Sequence, residues 1–298
     1  MLASYAAAIF ITDHFHITRF NNWLLAKYRP PLWTFATFTQ SIPIAIHGYG
    51  GPRWMAMSWS LAIEDQFYLL FPLAVYFMPK KRLITLVIAS LFIAPVFRDV
   101  FLKIFGDWYA AYVLLPSRMD GIMYGVVLAL ILRSKKAFNF VSHYRVVLDL
   151  IALFFLYIIT MNFTPSWWPR MMDTIFPLKQ SVISIMWAIA ILRVYTYKNS
   201  IFNKIWCNRL LIKTGMISYG LYMYHQTING LIHGILFNQE PCIATLNNLL
   251  AALSVIIISI GLATVSYFFF ERPIQRYGRV VVARLSEEKV LPSSSMAT

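Results

Sequence analysis

The chain has 298 residues, of which 59% are hydrophobic and 13% charged, and a formal net charge of +14. A soluble domain carries about 25% charged residues, so this one has too little polar surface to cover itself in water, and lipid must be part of its solvent. Nucleic acid is a poor partner despite the charge, because the cations sit in short turns between apolar runs rather than on a basic face interleaved with aromatics.

A span needs about 20 mostly apolar residues to cross roughly 30 Å of hydrocarbon. Taken in chain order, residues 1–12 form an apolar run of half that length. Full runs follow at about 58–78, 83–101, 112–132, 146–161, 177–194, 217–237 and 246–270. The expected fold is therefore all-α: a polytopic integral membrane helix bundle with about seven full spans plus a partial N-terminal helix. One transmembrane domain would cover 1–285, followed by a polar, serine-rich tail from Ser286 to Thr298 that reads as disordered.

Loop charge orients the bundle. Lys80, Lys81 and Arg82 fall on one side with Arg133, Lys135, Lys136 and Arg145, and with the basic residues near 193–213 and 272–289. On the other side Arg98, Lys103, Arg118, Arg170 and Lys179 are diluted by Asp99, Asp107, Asp120, Asp173 and Glu240. The excess of Lys and Arg marks the first side as cytoplasmic. The chain is thus expected in the cell (inner) membrane with its C-terminus in the cytoplasm. Trp59, Trp108, Trp167 and Trp168 fall near outer span ends, as interfacial aromatics do. Cys207 lies inside and Cys242 outside, so no bridge joins them, and no metal-ligand spacing is present.

Ionisable residues within spans cost roughly 2.5–3.5 kcal/mol each on insertion scales and need partners or a purpose. Ser60, Glu64 and Tyr68 are spaced i, i+4, i+8 on one helix face, with Glu64 about 9 Å below the outer end. Glu64 can serve as base or acid, or it can form a buried salt bridge that only fixes packing; Arg118 is its natural partner. Asp120 reads as a cap or pair at the outer interface, and Gly121 with Gly125 forms a small-xxx-small face. Ser218, Tyr222, His225, Asn229 and His233 make one polar stripe about 22 Å long. Such a stripe inside a bundle points to a cavity, although single members can be mere packing residues.

The segments Trp59–Tyr68, Arg118-Met119-Asp120-Gly121 with Gly125, Ile217–His225 and Phe270-Glu271-Arg272-Pro273 follow one another in register with the spans. In this order they resemble the membrane acyltransferase 3 family, which includes O-acetyltransferases of bacterial surface polysaccharides. The resemblance implies a ten-helix bundle that passes an acyl group, commonly acetyl, from cytoplasmic acyl-CoA to a hydroxyl of a glycan or similar acceptor, with no bound cofactor. For that chemistry Glu64 and His225 are the available candidates for the catalytic acid–base roles, and Ser60, Tyr68, Arg118, Ser218, Tyr222 and Asn229 for substrate contacts. A transporter or flippase of a lipid-linked saccharide, or a non-catalytic membrane subunit, would use the same polar stripe differently. The family's opening helix carries an Arg followed eleven positions later by His. Here Arg19 leads to Pro30, Arg29 to Gln40 and Arg53 to Glu64. Two N-terminal helices are therefore expected to be missing, through a misplaced start or a truncated gene, and in the second case the chain is inactive.

Overall fold

A computed structural model describes residues 30–47, 55, 57–161, 169–196, 201–237 and 239–290. Residues 1–12, Trp167 and Trp168 fall outside these. Among the described residues there is no strand. The chain divides into two compact units, Met1–Asn208 and Arg209–Thr298.

In the first unit two short helices, α1 (Leu32–Ala36) and α2 (Ser41–His47), precede α3 (Ser58–Phe77) and α4 (Lys80–Phe105). Pro79 caps α4 at its N-terminus, and Gly106 ends it in the left-handed conformation at φ 65°, the usual helix stop. Asp107 starts α5 (Trp108–Val113) by accepting the amide of Tyr109 at 3.1 Å. Then come α6 (Leu115–Arg133), α7 (Lys135–His143), α8 (Arg145–Met161), α9 (Pro169–Thr196) and α10 (Ile201–Trp206). The helix α4 packs mainly on α6, α9 lies against α4, α6 and α8, and α2 packs on α5. Ile44, Ala45, Tyr109, Ala110 and Val113 form a buried cluster against which Trp59 and Tyr112 rest.

The second unit contains α11 (Arg209–Met216), α12 (Ser218–Phe237) and α13 (Leu246–Ser266). A π-helical turn, Tyr267–Glu271, leads into α14 (Arg272–Val290). Thus helix continues through the first residues of the expected polar tail, and residues 291–298 lie outside those described. The Thr245 hydroxyl caps α13 by accepting the amide of Asn248, whose side chain in turn receives Gln239 at 3.2 Å.

The protein is an all-α membrane helix bundle, and each of the seven apolar runs is helical. Among the described residues, four helices meet the length and apolarity needed to cross a bilayer: 80–105, 108–133, 177–196 and 246–284. The bent pair α7–α8 makes a possible fifth span. Neither α3 nor α12 is among them, because their polar residues dilute the apolar character. Leu150, Phe154, Ile235 and Ile257 are exposed on helix surfaces, the side chains that lipid covers in a spanning helix. Both cysteines are free thiols.

Candidate functional site

The structure places a buried polar joint at the centre of the first unit. Arg98, on α4, is only 1% exposed and donates from Nε to the Ser117 carbonyl at 2.7 Å. Its terminal nitrogens reach the Pro177 carbonyl, the Ser181 hydroxyl and the Asp120 carboxylate. Ser181 also donates to Asp120, which accepts the Gly121 amide at 2.9 Å through its other oxygen. This corrects two expectations. Arg98 is a core residue rather than an outer-loop cation, since α4 runs on to Phe105 and carries it inside. Asp120 is not an interface cap but the buried partner of Arg98.

Beside this joint lies a cavity of about 260 Å³ between α3, α6 and α9. Ser60 and Glu64 line it from α3, Arg118 and Asp120 from α6, and Gln180 and Ser184 from α9. Glu64 and Arg118 therefore share one polar space, but the expected ion pair between them is not formed. Arg118 instead lies over two rings, 5.2 Å from the centroid of Trp59 and 4.5 Å from that of Tyr112. Trp59 and Tyr112 are themselves 4.8 Å apart and rest on the buried cluster, so the guanidinium has a fixed aromatic shelf. No carboxylate pairs with Arg118, and no cation with Glu64, among the described residues. Tyr68 points elsewhere: it is 64% exposed and does not line the cavity. Of the two glycines, only Gly121 meets a close neighbour, Ser184 Oγ at 3.3 Å from where a Cβ would stand. Gly125 has nothing within 4 Å, so the small-xxx-small pair is half used.

In the second unit the polar stripe lies along α12. Ser218 Oγ donates to the Gly215 carbonyl at 2.8 Å. His225 Nδ1 sits 3.0 Å from the Leu221 carbonyl oxygen and 2.9 Å from that of Tyr222. Carbonyl oxygens only accept, so Nδ1 is the donor in these contacts, and in the neutral imidazole with that tautomer Nε2 carries the lone pair. The His225 ring lies 6.0 Å from that of Tyr222 and is exposed on the unit's surface, with Asn229 half-buried one turn further on. His233, at the far end of the stripe, is 1% exposed, and its Nδ1 has no partner among the described residues.

The last motif joins this stripe. Glu271, carried by the π-helical turn, accepts from Ser266 Oγ at 3.2 Å, and the Tyr224 hydroxyl donates to Ser266 at 3.3 Å. A Cβ on Gly220 would stand 3.0 Å from Ala263 Cα and 3.2 Å from Glu271 Oε1. Glycine is thus required where α12 crosses α13. The Trp59–Tyr112 shelf, Gln180, Ser184 and this Glu271 chain were not singled out from the sequence. Trp59 and Glu271 lie inside the quoted motifs, which is the signal that could have found them. Among the described residues no three metal-ligating side chains gather.

Comparison with known proteins adds relatives. The O-acetyltransferase OatA of Staphylococcus aureus is 29% identical over 238 residues, covering 78% of this chain and 38% of that protein. The putative peptidoglycan O-acetyltransferase YrhL of Bacillus subtilis is 27% identical over 257 residues, 81% of this chain and 39% of that one. The chain thus spans about two fifths of the length of these relatives. They accord with the acyltransferase 3 resemblance. No family model matches the chain, and no solved structure matches it.

Proposed function

We propose that this chain, a relative of bacterial O-acetyltransferases, carries out O-acyl transfer within the membrane, moving an acetyl group to a hydroxyl of a glycan. In this reading acyl-CoA reaches the protein from the cytoplasmic side, and the basic loops, including the C-terminal helix, lie in the cytoplasm. The acceptor oxygen bonds to the acyl carbon, the carbon–sulfur bond breaks, and the hydroxyl proton passes to a protein base. Glu64 and His225 take the acid–base roles; the lone pair on His225 Nε2 suits it to accept the proton. Arg118 donates hydrogen bonds to the oxyanion that develops on the carbonyl oxygen. Ser60, Ser218 and Asn229 contact substrate.

The observation that carries this reading is the cavity shared by Glu64 and Arg118, in which neither charge is spent on the other. An ionisable group inside a membrane bundle that only fixes packing pairs with its opposite, as Arg98 and Asp120 do here. Glu64 and Arg118 instead face space that a substrate can enter.

The test is transfer of labelled acetyl from acetyl-CoA to glycan by membranes carrying the full chain. Glu64→Gln and His225→Ala should each lower the rate at least about a hundredfold, the usual worth of a positioned acid or base, without loss of membrane insertion. Unchanged rates in both variants would overturn the assignment.

A further inference from the structure

The three walls of the Glu64 cavity are built alike. Ser60, Ile63 and Glu64 face it from α3, and Gln180, Ile183 and Ser184 from α9, each set at i, i+3 and i+4 on one helix face. Helix α6 repeats the spacing with Arg118, Gly121 and Ile122. Every wall thus sets one isoleucine beside polar groups, and each is about 6 Å tall, one helical turn. A Cβ on Gly121 would stand 3.3 Å from Ser184 Oγ, so a side chain there would press on the α9 wall.

Gln180 has no structural employment in this space. Its backbone carbonyl accepts the Ser184 hydroxyl at 2.9 Å, whereas its carboxamide makes no hydrogen bond among the described residues. It therefore offers the cavity two donors on Nε2 and an acceptor at Oε1. Glu64 stands on a different wall, so a ligand held by Gln180 can turn another group toward the carboxylate.

Size, charge and lining restrict the occupant. At about 260 Å³ the space is below the roughly 300–1,000 Å³ of pockets for drug-sized ligands, so a nucleotide-bearing donor does not fit wholly within it. Asp120 is committed to Arg98 and Ser181, which leaves one free carboxylate, Glu64, and one free cation, Arg118, among the described residues. An ionic ligand of either sign would face a like charge, and a neutral one faces none. A plain acyl chain would suit the isoleucines and strand the carboxamide and hydroxyls. A linear acyl-pantetheine arm carries its amides in a row rather than around a rim. A sugar ring matches both kinds of surface on all three walls, with hydroxyls at its rim and C–H bonds on its faces.

We propose that the Glu64 cavity is the acceptor subsite, that it takes one neutral sugar ring of the glycan, and that Gln180 selects which hydroxyl meets Glu64. The Gln180 carboxamide donates to one hydroxyl of the ring and accepts from another, and the ring so held presents a third to the carboxylate. This rests on the O-acyl transfer proposed above and adds the residue that gives it specificity.

Two measurements on the full chain in lipid nanodiscs test it. In a chain lacking Cys207 and Cys242, Ser184→Cys places a thiol on the α9 wall and keeps Gln180. Its labelling by a small methanethiosulfonate should fall about tenfold once chitotetraose or cellotetraose, both neutral, is at about ten times its Kd. CoA and acetyl-pantetheine should not slow it. Adding Gln180→Met should raise the sugar concentration needed about tenfold, the worth of one or two hydrogen bonds. Ile183→Cys, on the same wall, replaces Ser184→Cys if that variant fails to insert. In the transfer assay with the more protective sugar, Gln180→Met should raise KM for the sugar by a similar factor and leave KM for acetyl-CoA unchanged. Labelling that neither sugar slows would overturn the subsite, as would protection by acetyl-pantetheine instead. Equal rises in both KM values, or protection indifferent to Gln180→Met, would overturn the role of Gln180. Sugar protection that depends on Gln180, in a parent that transfers no acetyl, would uphold the subsite and sink the transfer reading alone.

Discussion

Replacing Arg98 by Met tests how the first unit is held together. The guanidinium is 1% exposed and so is Asp120, so the pair has no solvent to fall back on. Arg98→Met removes the donors to the Ser117 and Pro177 carbonyls and leaves the Asp120 carboxylate with only Ser181 and the Gly121 amide. Removing one partner of a buried pair costs about 3–5 kcal/mol, because the other charge stays buried without compensation. Asp120→Asn strands the cation instead and should cost a similar amount. The double change to Met and Asn carries no buried charge, and replacing a whole buried pair is often nearly neutral. It should therefore be more stable than either single variant, with a coupling of about 1–3 kcal/mol in the range for residues in contact. Reversible unfolding in mixed detergent micelles, followed by far-UV circular dichroism, measures all four species. Single variants within about 1 kcal/mol of the parent would refute the reasoning, as would a double variant that simply sums the two losses.

Two glycines give a matched contrast. Gly220→Ala puts a Cβ against the Ala263 backbone and should destabilise the second unit by about 1–3 kcal/mol, while Gly125→Ala meets open space and should be neutral or stabilising by up to about 1 kcal/mol; thermal unfolding of both variants decides. The loop charges predict the topology: single cysteines placed at residues 80–82 or 135–143, in a chain lacking Cys207 and Cys242, should resist an impermeant maleimide added from outside. One placed near Gln239 should react, and the opposite pattern would invert the orientation.

The helices were legible because lipid demands long apolar runs, and composition records these directly. Their ends were legible where punctuation is chemical: Pro79, Gly106 and Asp107 each stop or start a helix through backbone geometry or a cap. The polar joint was not, and the reason is length. With the second span ending near residue 101, Arg98 sits at its rim and reads as a loop charge. The helix in fact extends to Phe105, which leaves Arg98 about two turns from its end and makes a partner obligatory. The sequence does contain the clue, since α4 begins at Lys80 and an intramembrane cation needs an anion. Yet choosing Asp120 over Asp99 requires the tertiary packing of α4 on α6.

The same physics makes Glu64 the partner that the sequence offers Arg118. Two opposite charges at similar depth attract, and in hydrocarbon the unpaired alternative is expensive. What sequence reading cannot price is a third solution, in which aromatic faces stabilise the cation and leave its neighbour open. The quadrupoles of Trp59 and Tyr112 offer such a surface, worth about 2 kcal/mol or more when desolvated. These rings lie far apart in the chain and meet only because α5 turns back against the start of α3 on the buried cluster. An arginine stacked in this way keeps its charge and its donors' directions without neutralising the carboxylate across the cavity. That separation of two opposite charges by packing, rather than their pairing by attraction, distinguishes the Glu64 cavity from the Arg98 joint a few residues away.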